Sequence, residues 1–269
     1  MERCPQQGKE SIRPQKLYQD PLMAKSKKQK QPQAPVTLPK FDSLKVIEPL
    51  TKSQEKVFKA FEKNNHLCLS GCAGTGKTFL AMYLAFQEIM SGKSKAEKIV
   101  IVRSIVPTRD IGFLPGDRAE KESTYLYPYI AICAELFGDP MAWNKLVAKK
   151  QVEFLTTSFV RGITLRDSIV IIDEMQNLTF HELDSIITRL GENCRLIMCG
   201  DYYQTDLERK ADRSGILEFM DIIEQMKYFY SIEFGWQDIV RSGLVRDYIM
   251  TKEIVQKEKD KRTKTITKT

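Results

Sequence analysis

The sequence predicts an α/β fold, a mostly parallel sheet flanked by helices. Three observations support this. Residues 67–78 read Leu-Cys-Leu-Ser-Gly-Cys-Ala-Gly-Thr-Gly-Lys-Thr: a short apolar run, a glycine-rich loop and the start of a helical pattern. Lys98–Val102, Ser168–Ile172 and Arg195–Cys199 are continuous apolar runs, as strands buried on both faces require. Helical patterns alternate with these runs, which is the chain order of crossovers between parallel strands.

The glycine-rich loop gives the first functional signal. Gly71-x-x-x-x-Gly76-Lys77-Thr78 has the spacing of a phosphate-binding loop between a strand and a helix. Gly71, Gly74 and Gly76 permit backbone angles and a close approach that a Cβ forbids. Residues Gly71, Cys72, Ala73, Gly74, Thr75 and Gly76 are expected to enclose phosphate oxygens with their N–H groups, helped by the positive end of the helix. Lys77 is expected to reach the outer phosphates and Thr78 to ligate magnesium. The expected ligand is ATP or GTP.

The chain has 269 residues, enough for one sizeable domain or two small ones. No run approaches the roughly 18 apolar residues of a membrane span. The start, Met-Glu-Arg-Cys-Pro, lacks the apolar core of a secretory signal. Six cysteines without a C-x-x-C pair, and two histidines, argue against a zinc site and for a reducing, cytoplasmic compartment. Cys68, Cys194 and Cys199 read as small core residues. Cys72, inside the loop, is either oxidation-sensitive or simply tolerated.

The net charge of +7 is uneven. Residues 1–40 hold nine Lys/Arg against three Asp/Glu, and residues 252–269 hold seven against three. Residues 41–251 are left with 26 basic and 29 acidic residues. The basic character therefore belongs to two tails. Such tails suit contact with a polyanion such as nucleic acid, or serve only to keep the chain soluble. Residues 1–40, rich in Lys, Gln and Pro, read as disordered.

Order is expected from about Phe41. Thr51-x-x-Gln54 resembles a capping box for a helix over about 51–64. Gln54 has a second reading, as a reader of the adenine edge. Strand 66–70 and helix 77–91 follow, broken at Ser91-Gly92. After strand 98–102, Arg103–Arg109 forms a loop at a strand carboxyl end, where open α/β sheets bind ligands. Residues 111–129 read as a loop bearing Tyr125, Tyr127 and Tyr129. It either stacks nucleic-acid bases beside Arg109, Arg118 and Lys121 or is a structural turn. Two short helices are expected around Gly138-Asp139-Pro140, and a short strand at 152–155.

Ser168-Ile-Val-Ile-Ile-Asp173-Glu174 is the second functional signal. A strand of β-branched residues ends in two carboxylates. Asp173 is expected to hold magnesium through water, and Glu174 to polarise the attacking water. A helix from Thr179 to Leu190 and strand 195–199 follow. That strand ends in Gly200-Asp-Tyr-Tyr-Gln204, where Gln204 is expected to touch the γ-phosphate or the lytic water. Ser214 is expected to cap a helix to about 226. Strand 228–234 and a last helix over 237–251, containing Arg241, close the fold.

Several segments in order resemble the PhoH family of phosphate-starvation-inducible ATPases, relatives of superfamily 1 helicases. They are Gly71–Thr78, Gly112-Phe-Leu-Pro-Gly116, Phe159-x-Arg161-Gly162, Asp173-Glu-x-Gln-Asn177, Thr188-Arg-Leu-Gly191, Gly200-Asp-x-x-Gln204 and Asp238-Ile-Val-Arg241. The resemblance covers about residues 45–250. It implies a RecA-like core, ATP and magnesium as ligands, and a role tied to nucleic acid, often RNA. It also implies that Gln54, Gly74, Gly76, Lys77, Thr78, Asp173, Glu174, Gln204 and Arg241 line or complete the site. Arg241 is followed by Ser-Gly where relatives have His-Pro. No fused nuclease-like domain is recognised, so ribonuclease activity is not carried over.

Helicases of that superfamily close ATP between two RecA-like domains, and this chain has material for one. The expectation is therefore a homo-oligomeric ring, a hexamer, with the site at a subunit interface. Arg241 is the first candidate for an arginine reaching a neighbour's site and Arg189 the second; Arg241 acting in its own subunit is the alternative. The expected function is a motor on RNA or single-stranded DNA. The rival is a nucleotide-switched binding module with little turnover, and a nucleotide kinase is the weaker third reading.

Overall fold

A computed structural model describes Pro39 and residues 43–104, 118–201 and 210–266. These belong to one compact unit within Val36–Thr269. Six parallel strands form one sheet in the order β3-β2-β4-β5-β1-β6. They are β1 (His66–Gly71), β2 (Lys98–Arg103), β3 (Val152–Thr156), β4 (Ser168–Ile172), β5 (Arg195–Cys199) and β6 (Phe229–Phe234). The loop strand β1 and the carboxylate strand β4 are thus separated by β5 alone, the RecA-like arrangement.

Side chains alternate across the sheet, as a pleated strand dictates. Leu67, Leu69, Ile99 and Ile101 enter one core layer; Cys68, Val100 and Val102 enter the other. Helices α1 (Lys52–Glu62), α2 (Lys77–Ser91), α3 (Arg118–Phe137) and α4 (Ala142–Ala148) contribute to the first layer. Helices α5 (Thr157–Val160), α6 (Phe180–Ile187) and α7 (Lys210–Gln225) contribute to the second. Each fully buried Ile or Leu adds roughly 1.5–3 kcal/mol, so covering both faces supplies most of the driving force.

Most elements lie where the pattern puts them. Helix α2 has the expected bounds and ends at Gly92 in the left-handed conformation. Thr179 and Glu182 form a true capping box on α6. Four expectations are corrected. Residues 118–129 are not a loop but the first half of α3, which runs through Pro128. Helix α7 starts at Lys210, so Ser214 lies inside it rather than at its cap. Thr51 caps α1 by accepting from the Gln54 amide, but the Gln54 side chain does not close the box. The last helix, α8 (Gly243–Ile266), begins after a short turn at Trp236–Asp238 and continues through most of the segment read as a basic tail. Arg241 consequently sits in the connection before α8, not within a helix. The expectations for residues 1–38 and for the Gly112–Gly116 segment lie outside the described residues.

Candidate nucleotide site

The carboxyl ends of β1, β4 and β5 open onto a cleft of ≈ 670 Å³. It is lined by Ala73 to Thr78, by Asp173 and Glu174, by Gly200 and Asp201, and by Gln54 and Arg241. The structure therefore brings together residues far apart in the chain, with Gln54 and Arg241 at the extremes.

Gly74 and Gly76 have φ of 73° and 82°, left-handed angles that side chains disfavour. Gly71 also has a positive φ, 106°, and the close approach it permits is to β6. A Cβ there would lie 2.2 Å from the carbonyl oxygen of Phe234. That same carbonyl accepts from the Cys72 N–H at 2.9 Å. Neither Gly71 nor Cys72 lines the cleft; the pair locks the loop onto β6. Cys72 is buried, and burial together with Glu253 and Asp201 pushes its thiol up to about 12. A raised thiol pKa favours the protonated form and the tolerated reading over the oxidation-sensitive one.

The Lys77 ammonium donates to the carbonyls of Gly71 and Cys72, both at 2.7 Å. Burial lowers its pKa, with Asp201, Cys199 and Glu174 working the other way. Thr75 is fully buried and donates to the Cys72 carbonyl at 3.0 Å, which braces the loop from inside.

Thr78 Oγ1 donates to Asp173 Oδ1 at 2.7 Å. The other carboxylate oxygen, Oδ2, accepts from the Tyr129 hydroxyl at 2.8 Å. Burial and the Asp173 carboxylate push the Tyr129 phenol up, so it stays a donor. Thr78 and Asp173 supply only oxygen donors beside the loop, which suits a hard cation such as magnesium. Glu174 adopts φ 52°, ψ 45°, unusual for a side-chain-bearing residue. Burial and then Asp173 raise its pKa, while Gln176, Arg103 and Lys77 oppose the rise. Gln176 Nε2 donates to Glu174 Oε2 at 2.5 Å, and Gln176 Oε1 accepts from the Asp201 N–H at 2.9 Å. Gly200 makes room for this bridge, since a Cβ would lie 2.6 Å from Gln176 Oε1.

Gln54 ties the segment before α1 to the loop. Its Oε1 accepts from the Leu50 N–H at 2.8 Å and its Nε2 donates to the Thr75 carbonyl at 3.2 Å. Across the loop, the Val240 N–H donates to the Gly74 carbonyl at 3.0 Å. A Cβ on Gly74 would lie 3.0 Å from Arg241 Cγ and 3.3 Å from Cδ1 of Ile249 in α8. Arg241 thus rests on the loop of its own chain. Arg189 is exposed and does not line the cleft. Gln204 lies outside the described residues.

Sequence reasoning gave Gln176 no individual role, placed Arg103 in a ligand-facing loop and offered Tyr129 as a base-stacking or structural residue; the fold instead buries Tyr129 with its hydroxyl on Asp173. Gln176 was legible as part of the Asp173–Asn177 segment. Tyr129, 44 positions from Asp173, left no local signal. Arg103 ends β2 with its guanidinium 5.6 Å from the Tyr125 ring centroid. Burial opposes its charge, but Tyr129, Asp173 and Glu174 outweigh that and raise its pKa.

Known proteins share this sequence pattern. A PhoH-like protein of Mycobacterium leprae (strain TN) is 33% identical over 206 residues, 76% of this chain and 58% of that protein. A PhoH-like protein of Bacillus subtilis (strain 168) is 34% identical over 206 residues, 76% of this chain and 63% of that one. The chain thus spans somewhat over half the length of these curated relatives. Among solved structures, the large terminase of a thermophilic bacteriophage aligns with a TM-score of 0.44 and 12% identity, over 75% of this chain and 50% of that one. The model of the PhoH-like protein family matches residues 46–253, and this phosphate-loop NTPase chain belongs to that family.

Proposed function

We propose that the chain is a magnesium-dependent ATPase that works on RNA or single-stranded DNA as a helicase-like motor. One observation supports this most: Lys77, Thr78, Asp173 and Glu174 converge on a single cleft. Thr78 and Asp173 would hold magnesium, which when bound offsets charge on the β- and γ-phosphates. The loop N–H groups and Lys77 then orient the phosphates, with Lys77 exchanging its carbonyl partners for phosphate oxygens. Glu174, held by Gln176, orients the attacking water and accepts a hydrogen bond from it as a carboxylate. The Gln176 bridge to the Asp201 N–H couples Glu174 to the segment that leads to Gln204. Ile47, Leu50 and Val240 form an apolar wall beside Gln54, suited to a purine face.

Arg241 is read as acting on its own subunit's nucleotide, because it rests on Gly74. A homohexameric ring remains the proposed working assembly, with exposed Arg189 as the residue offered to a neighbour. Leu244, Tyr248 and Val255 of α8 are exposed at helical spacing and give such an assembly apolar surface. The basic end of α8 and residues 1–40 are the proposed polyanion contacts. The cysteine usage of the sequence supports a cytoplasmic location. No helix among the described residues is long and apolar enough to cross a membrane.

ATP turnover with and without single-stranded RNA or DNA tests the reading, with light scattering for the assembly. Turnover stimulated by polynucleotide and abolished in Glu174→Gln is expected. Nucleotide-dependent binding with negligible turnover in the native chain would replace the motor by the switch.

A further inference from the structure

We propose that Tyr129 is a positioning residue for the magnesium site, setting the Asp173 carboxylate through its hydroxyl. The inference rests on the nucleotide reading above. Tyr129 is fully buried. A phenylalanine would fill the same space without burying a hydroxyl, and a buried hydroxyl costs stability unless it is paired. The partner is Asp173 Oδ2 at 2.8 Å.

The ring cannot readily turn away from that partner. It lies against Trp143 of α4, with centroids 6.3 Å apart, and against Phe154 of β3, at 5.8 Å. Three elements therefore fix where the hydroxyl points. Asp173 is held at both oxygens by different donors, Thr78 on Oδ1 and Tyr129 on Oδ2. A carboxylate held this way has one rotamer and one oxygen directed to the Thr78 side, where the metal is proposed to bind. Removing a partner that orients a metal's ligand typically costs about 10–100-fold in metal affinity or activity. Arg103 stands beside the same hydroxyl, and the Tyr125 ring, one turn earlier on α3, lies under its guanidinium. The cluster thus moors α3 to the ends of β2 and β4.

The test uses the full chain and a fluorescent ADP analogue. Binding is measured without magnesium and then as a function of magnesium concentration, for the native chain and Tyr129→Phe. The expected result is metal-free affinity within about twofold of native, with a magnesium midpoint raised about tenfold or more. A purely structural tyrosine would lower the melting temperature and leave that midpoint alone. An unchanged midpoint in folded Tyr129→Phe overturns the proposal. A native chain that binds the analogue with no magnesium dependence overturns the metal reading itself, and this inference with it.

If Tyr129→Phe does not fold, 3-fluorotyrosine at position 129 keeps the ring and hydroxyl and reports directly. Its fluorine resonance is expected to shift when magnesium is added to the ADP-bound chain. A resonance indifferent to magnesium overturns the proposal.

Discussion

The carbonyl oxygen of Phe234 occupies the space where a Cβ on Gly71 would stand, 2.2 Å away. Gly71 also has φ 106°. Gly71→Ala therefore meets backbone, which cannot yield as a flexible side chain can. The expected loss is about 3 kcal/mol or more, combining overpacking with left-handed strain. Gly92→Ala is the control. Gly92 also has a positive φ, but nothing stands within 4 Å of its Cβ position, so only about 1–2 kcal/mol is expected. Denaturant unfolding of the two variants checks the order; equal losses would refute the steric account.

Glu174→Gln should separate folding from turnover. The folded state raises the Glu174 pKa through burial and Asp173. A carboxylate whose pKa is raised on folding costs stability once pH exceeds its unfolded value, and the cost is complete above its folded value. Removing the charge at pH 7 should leave the melting temperature equal to or above native while hydrolysis falls by about 100-fold or more. In the metal-free chain the melting-temperature gain of Glu174→Gln should shrink as pH falls through the glutamate range, since native and unfolded Glu174 are then both protonated; a gain unchanged with pH would show that folding does not raise this pKa.

Cys72 should resist modification despite its place in the loop. Its thiol is pushed up to about 12 by burial, Glu253 and Asp201. Iodoacetamide at pH 8 is expected to leave it unlabelled in the native chain and to label it on denaturation, as mass spectrometry of the loop peptide would show. Cys72→Ala should keep nucleotide binding within a few-fold of native, since the residue's N–H, not its thiol, makes the contact to Phe234.

Arg241→Ala tests the position of the arginine. The side chain lies against Gly74 of its own chain, so nucleotide affinity should fall with the variant measured alone. Mixing Arg241→Ala subunits with Lys77→Ala subunits distinguishes the geometries. An arginine acting in its own subunit gives no complementation, because neither subunit has a complete site. Recovery of hydrolysis in the mixture would place Arg241 in a neighbour's site instead.

The sequence by itself determined the strands and the local motifs. Continuous apolar runs specify buried parallel strands, and the spacing Gly71–Thr78 specifies a loop whose chemistry is local. Asp173 and Glu174 were legible because they end such a run. The tertiary structure alone decided relationships that cross the chain. Residues 118–129 are rich in charges and tyrosines and lead into Pro128, which reads as loop. In the fold they begin α3, which buries Tyr129 against Trp143 and Phe154 and brings its hydroxyl to Asp173. Gln54 satisfied a capping pattern in sequence, yet its amide ties Leu50 to Thr75 in space. Gly71 had a phosphate-loop reason in sequence and a β6 packing reason in the fold. In each case the deciding partner is fixed by the fold, and contacts made only by tertiary packing leave no periodicity for a sequence to show.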